Sequence, residues 1–201
     1  GVQTLSLTGN LNYTGQVKIS GGTLVLSGSN TLTGGITVNG TLSLGANNAA
    51  GGAGNTITTT GSTIDYDTVT TPNLDSATPI IIASNTTKLQ VLSGSATQSG
   101  IISETRDPAT PTVGRPLEKI GAGTLTLAAL NTYSGRTTIS AGTLIQGVLG
   151  AIPANTPVEI AAGATLNLGA FATPLSGLTG AGTLTGTGAL TVTTAADQTF
   201  S

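Results

Sequence analysis

The chain has 201 residues, a formal net charge of −2, and no cysteine, histidine or methionine. Those absences rule out disulfides, thiolate nucleophiles and a Ser-His-Asp triad, and they remove the usual zinc ligands. The few basic residues are scattered, which argues against a nucleic-acid partner, and no apolar run approaches the roughly 20 residues that a membrane-spanning helix needs.

Charged residues make up 7% of the chain, but 37% is apolar and patterned, so the reading is an ordered chain. Thr, Val, Ile and Leu fit a pleated surface, and Thr, Ser and Asn are expected to coat the outer faces. A start at Gly1 without methionine points to a fragment or processed product. The lack of cysteine suits export as an unfolded chain.

Residues 1–48 form a first repeat block. Thr4-Leu5-Ser6-Leu7 returns as Thr23-Leu24-Val25-Leu26 and as Thr41-Leu42-Ser43-Leu44, at offsets of 19 and 18 residues. Tyr13-Thr14-Gly15 matches Leu32-Thr33-Gly34, and Val17-Lys18-Ile19 matches Ile36-Thr37-Val38. A fixed short period is the signature of a solenoid. Period-two alternation broken by Gly and Asn makes each unit strands and turns, not helix. The expected fold is all-β: a single-stranded parallel β-helix of about ten coils, each burying its apolar side chains by stacking on the next. Leu5, Leu7, Leu24, Leu26, Leu42 and Leu44 should face inward, with Ser6, Val25 and Ser43 outward. Tyr13 should lie above Leu32 and pack inside, as should Tyr133.

A small-residue loop follows at 46–54. It runs into Gly51-Gly52-Ala53-Gly54-Asn55-Thr56, which is similar to a calcium-binding nonapeptide. Thr56 stands where the Asp ligand belongs, so no cation site is expected. Strands are expected at 56–60, 63–66, 80–83, 88–92 and 100–103. Asp65, Asp67 and Asp75 form an acidic cluster here. Asp65 and Asp67 share a face opposite Ile64 and Tyr66. The plain reading is a solvated outer face. The sharper one is an acid pair of a polysaccharide-acting β-helical enzyme, for which Lys88 is the nearby partner.

The pattern breaks at 103–119. Glu104, Arg106, Asp107, Arg115, Glu118 and Lys119 lie here, with Pro108, Pro111 and Pro116. Proline cannot donate to a central ladder, so this is a charged loop thrown out from the coil. It is either a solvated insertion or a functional loop on a rigid scaffold.

The second repeat block covers 117–147. It reads Glu118-Lys119-Ile120-Gly121-Ala122-Gly123-Thr124-Leu125-Thr126-Leu127, then Asn131-Thr132-Tyr133-Ser134-Gly135, then Ala141-Gly142-Thr143-Leu144. Leu125, Leu127 and Leu144 should face inward. Further strands are expected at 158–160, 164–168, 182–185 and 189–193. The end, Gln198-Thr199-Phe200-Ser201, carries no recognisable terminator, so coiling is expected to continue beyond it.

The second block closely resembles the passenger-associated transport repeat of bacterial autotransporters. Residues 4–26 and 23–44 look like two further copies, and the resemblance covers roughly 1–48 and 117–201. Arg136 departs from it, standing where the family more often has a second glycine. The resemblance implies a right-handed β-helical passenger, 1–201 being one fragment of it. It also implies carriage across the outer membrane by a C-terminal β-barrel translocator, and a place at the cell surface of a Gram-negative bacterium or secreted from it. It supplies no catalytic residue, and no cofactor or metal is expected.

Two roles follow besides enzyme. The first is an adhesin, binding a host cell-surface or extracellular-matrix molecule or self-associating between cells. The second is a structural stalk that presents a distal domain and supports passenger folding during export. If the segment binds, the expected ligand-binding residues are Asp65, Asp67, Asp75, Glu104, Arg106, Asp107 and Arg115. Asp65 and Arg106 are 41 residues apart, close to two coils, so both excursions are expected on one edge.

Overall fold

A computed structural model describes residues 3–110, 113–193 and 199–200. Residues 1–2 of the first repeat block, residues 111 and 112 of the charged loop, and Gln198 and Ser201 of the C-terminal phrase lie outside the described residues.

Short alternating segments close into coils because neither face of an isolated strand is covered. Every strand pairs in parallel with the equivalent strand one coil away. The longest sheet holds ten strands, from Thr4–Leu7 to Leu190–Val192, and so makes about nine turns. A six-stranded sheet runs from Leu74–Ser76 to Thr183–Thr185, and a five-stranded sheet from Val17–Ile19 to Ile102–Glu104. A typical coil goes from Thr63–Tyr66 in the long sheet to Leu74–Ser76 in the six-stranded sheet. It continues to Ile80–Ser84 in the five-stranded sheet, then returns to the long sheet at Thr87–Gln90. The expected parallel β-helix is the fold.

Alternation sorts the side chains. Leu24, Leu26, Leu42, Leu44, Leu125, Leu127 and Leu144 are buried, as are Ile64, Tyr66 and Tyr133. Leu5 and Tyr13 depart from expectation, at 58% and 53% exposed, and Leu7 is only partly buried. Each is in register with a buried residue of the next coil, Leu5 with Leu24 and Tyr13 with Leu32. No described coil stacks on their other side, so stacking covers them once and not twice.

The glycine before each Thr-Leu phrase has a structural cause. Gly22 and Gly142 turn the corner with φ of 72° and 66°, a region that glycine enters without strain. A Cβ on Gly142 would collide with the carbonyl oxygens of Gly123 and Gly121, and one on Gly22 with that of Gln3. The phrase does not specify a face, however. Thr4–Leu7, Thr23–Leu26 and Thr41–Leu44 stack in the long sheet, but Thr124–Leu127 and Thr143–Gln146 stack in the six-stranded one.

Sequence reading missed the strands Leu74–Ser76, Ser95–Gln98 and Thr173–Gly180. In Ser95–Gln98 the buried positions are Ala96 and Gln98. Gln98 is satisfied inside the coil, accepting from Tyr66 Oη at 2.7 Å and donating to the Thr78 and Gly100 carbonyls at 2.9 Å. The calcium-like stretch forms the short 3-10 turn Gly52–Gly54 and the strand Ile57–Thr60.

Candidate contact surface

The outward face of the long sheet carries most of the charge outside the loop. One column of register partners runs Thr63, Lys88, Glu118, Thr138, Glu159, Thr179 along successive coils. The neighbouring column runs Ser43, Asp65, Gln90, Ile120. Lys88 Nζ lies 3.8 Å from Glu118 Oε2, and Ser140 Oγ donates to Glu118 Oε1 at 2.6 Å. Arg136 precedes the strand Thr137–Ile139 and reaches one coil on, donating from Nη1 to Glu159 Oε2 at 2.8 Å. Asp65 accepts from Ser43 Oγ at 2.8 Å and from Gln90 Nε2 at 3.0 Å. Ser43 faces outward as expected, but Asp65 covers it.

These pairings bear on the acid-pair reading. Lys88 pairs with Glu118, not with Asp65. Asp67 lies past the strand end and holds its own turn, accepting from Thr70 N at 3.1 Å and Thr70 Oγ1 at 2.5 Å. Asp75 lies round the corner in the six-stranded sheet, where Ser99 Oγ donates to it at 2.7 Å. The three aspartates therefore span two faces.

The charged loop leaves the five-stranded sheet at Glu104 and enters the long sheet at Leu117. Glu104 is its anchor. Its carboxylate accepts from Arg115 N at 2.7 Å and Ser134 Oγ at 2.6 Å, and Arg106 Nε lies 3.5 Å away. Burial raises the pKa of this carboxyl, but the hydrogen bonds and the Arg106 charge outweigh burial and hold it below the usual value. Asp107 takes the Ala109 N–H at 2.8 Å, and Arg115 Nη2 lies 3.8 Å from its other oxygen.

The two excursions do not share an edge. The turn after Asp67 joins the long and six-stranded sheets, and the charged loop joins the five-stranded and long sheets. Two coils from Asp65 the register partner is Ile120, not a residue near Arg106, because the intervening coils are longer than the repeat period. The excursions instead flank the outer face of the long sheet from opposite sides.

Lys119, expected in the charged loop thrown out from the coil, lies instead in the strand Leu117–Ile120. It sits on the inward side of its strand between Leu89 and Ile139 and is 1% exposed. Its Nζ donates to the carbonyls of Ile120, Gly121 and Ala141 at 2.9, 2.8 and 3.2 Å. Burial pulls its pKa down to about 8.

A hollow of about 560 Å³ opens at the first coil against Leu5, Leu7, Val17 and Leu24, and the titratable side chain lining it is Lys18. Among the described residues no cluster of three or more acidic side chains is placed to hold a metal ion.

Stacked strands, corner glycines and a Thr/Ser-coated exterior define a structural class, the parallel β-solenoid. Residues 1–25, 17–40 and 117–145 match the passenger-associated transport repeat. These repeats on this fold make the chain similar to autotransporter passengers, and they indicate a place at the surface of a Gram-negative bacterium or release from it. The adhesin BmaC autotransporter of Brucella suis biovar 1 (strain 1330) is 40% identical over 62 residues. That stretch is 31% of this chain and 2% of that protein's length. No solved structure matches at comparable stringency.

Proposed function

We propose that residues 1–201 are one β-helical unit of a surface adhesin, contributing attachment to a host cell-surface or matrix molecule or to other bacteria. The observation that carries this reading is the gathering of charge. On an otherwise Thr- and Ser-coated rod, Asp65, Lys88, Glu118, Arg136 and Glu159 line one face, and Glu104, Arg106, Asp107 and Arg115 flank it. Charged rims steer encounter and register more than they add affinity. The name of the Brucella relative, an adhesin, supports the same reading. A passenger segment also implies a translocator linked on its C-terminal side. The proposed role is non-enzymatic, a reading supported by the carboxylates of Asp65, Glu104 and Glu118 each being engaged by neighbouring donors.

A second reading, the stalk, is favoured by the regular coils away from this face. The deciding experiment displays the passenger on cells with and without residues 1–201 and measures attachment at matched surface levels. In parallel, Arg106 and Arg115 are changed to Ser. Reduced attachment in both supports the adhesin. Undiminished attachment in both leaves the stalk.

A further inference from the structure

Asn39 stands apart from the other asparagines of the chain, because it is the one that glycine follows. It lies between the strands Ile36–Val38 and Thr41–Leu44, at the corner where the chain passes from the five-stranded sheet into the long one. Its side chain is exposed and forms no hydrogen bond with the described residues. Asn30, Asn55 and Asn131 are the contrast. They are buried, each uses both amide atoms in hydrogen bonds, and each precedes a threonine. We propose that Asn39–Gly40 is a site of spontaneous modification by water, at which the folded rod converts the asparagine to an isoaspartyl linkage.

The reaction has two steps. The Gly40 backbone nitrogen attacks Asn39 Cγ and forms a new N–C bond. The side-chain amide nitrogen leaves as ammonia, carrying off the proton of the Gly40 N–H. Water then opens the cyclic imide at one of its two carbonyls and gives aspartate or isoaspartate. Water is the only co-reactant. The attacking nitrogen must be uncrowded and its N–H uncommitted. Gly40 has no side chain, and its N–H donates to no described backbone acceptor. The ladder bonds fall on either side of it. Asn39 N–H donates to the Ile19 carbonyl at 2.8 Å, and Thr41 N–H to the Gly22 carbonyl at 2.9 Å. Folding therefore shields Asn30, Asn55 and Asn131 and leaves Asn39 open.

The product matters because of what meets at this corner. Gly40 packs backbone against backbone, and a Cβ on it would come within 2.6 Å of the Gly22 carbonyl oxygen. Its own carbonyl accepts the Thr63 N–H at 3.0 Å. Three consecutive coils are thus joined through one peptide. An isoaspartyl linkage puts an extra methylene into the main chain there and adds a carboxylate. Extra length on one side of a paired ladder disrupts it locally, as a bulge does. In a solenoid the effect passes to the adjacent coils first. The first repeat block so carries a clock, its corner loosening as the molecule ages. Nothing in this chemistry depends on what the rod binds.

The test ages the folded passenger in mildly alkaline buffer made with heavy-oxygen water. Peptide mapping, ammonia release and hydrogen exchange are followed over time. Labelled product should accumulate at residue 39 at least tenfold faster than at Asn30, Asn55 or Asn131, with isoaspartate exceeding aspartate. An Asn39→Ser variant should release correspondingly less ammonia. Amide protection at Thr41 and Thr63 should fall in the aged parent and hold in the aged variant. Protection at Ile139, far along the rod, should hold in both. Three outcomes overturn the proposal: residue 39 reacting no faster than the three buried asparagines, reaction only after the chain is unfolded in urea, or an isoaspartyl product that leaves Thr41 and Thr63 protected.

Discussion

Asn30 and Asn131 make the same pair of hydrogen bonds in separate repeat blocks. The Asn30 Oδ1 accepts the Leu11 N–H at 2.7 Å, and its Nδ2 donates to the Ala49 carbonyl at 2.5 Å. The Asn131 Oδ1 accepts the Ile102 N–H at 2.8 Å, and its Nδ2 donates to the Ala151 carbonyl at 2.7 Å. Each asparagine thus ties its own coil to the one before and the one after. Both open the same phrase, Asn-Thr-Leu-Thr-Gly and Asn-Thr-Tyr-Ser-Gly.

Replacing Asn131 by Ala should leave a buried donor and a buried acceptor unmet, at a cost of about 2–4 kcal/mol. Asn131→Asp keeps the acceptor for Ile102 N–H and loses the donor. Hydrogen exchange separates the two variants: Ile102 should lose amide protection in the Ala variant and keep more of it in the Asp variant.

Burial should rank the leucines against their identical phrases. Leu125 is fully buried, so Leu125→Ala should cost roughly 2–5 kcal/mol through lost burial and a cavity. Leu5 holds the same place in its phrase but is largely exposed, so Leu5→Ala should cost under about 1 kcal/mol. Denaturant titration of both checks the difference. Loss at Leu125 should reach neighbouring coils first.

Lys119 predicts a pH dependence with a definite sign. Its pKa is about 8 folded, against an ordinary 10.5. Between those values the unfolded chain binds more protons than the folded one, so stability rises with pH across that window. Below pH 8 the cost of burying the charge is fully present. Lys119→Met should abolish the rise. Parent and variant are compared by urea unfolding at pH 7 and pH 10, and equal slopes in both would show that Lys119 is not the source.

Glu104 predicts a rise of the same sign, but in the acid range. Its carboxyl is held below the ordinary value, so its contribution is present above that value and is lost as pH falls through the folded one. Glu104→Gln should loosen the charged loop already at neutral pH, because it weakens the tie to Arg115 N–H and Ser134. Cleavage within residues 105–116 by a non-specific protease should speed up several-fold, with the coils intact.

These elements also show what the sequence could carry. The phrase at Gly142-Thr143-Leu144 announces a strand, a left-handed corner and another strand, and all three are present. It could not announce which face they occupy, because the coils after Thr63 and Thr87 lengthen before the phrase returns at Thr124. Ser95–Gln98 escaped notice because its inward positions are Ala96 and Gln98, not large apolar residues. The charged loop was legible from its prolines and charges, but its expected bounds of 103–119 reached into the strands Ile102–Glu104 and Leu117–Ile120. The column that holds Lys88, Glu118 and Glu159 was not legible, since register across coils of unequal length aligns it. The same lengthening displaced Arg106 from the edge predicted by counting from Asp65.

The ladder hydrogen bonds run along the rod, from each coil to the next. Tension applied between the two ends therefore opens them in series, as a zipper opens, and not all at once under shear. The rod should yield one coil at a time, each rupture releasing a length set by that coil's share of chain. The coil between Thr87 and Leu117 is the longest of the stack and would pay out about 100 Å of slack when it parts. Under load the charged loop becomes spare rope.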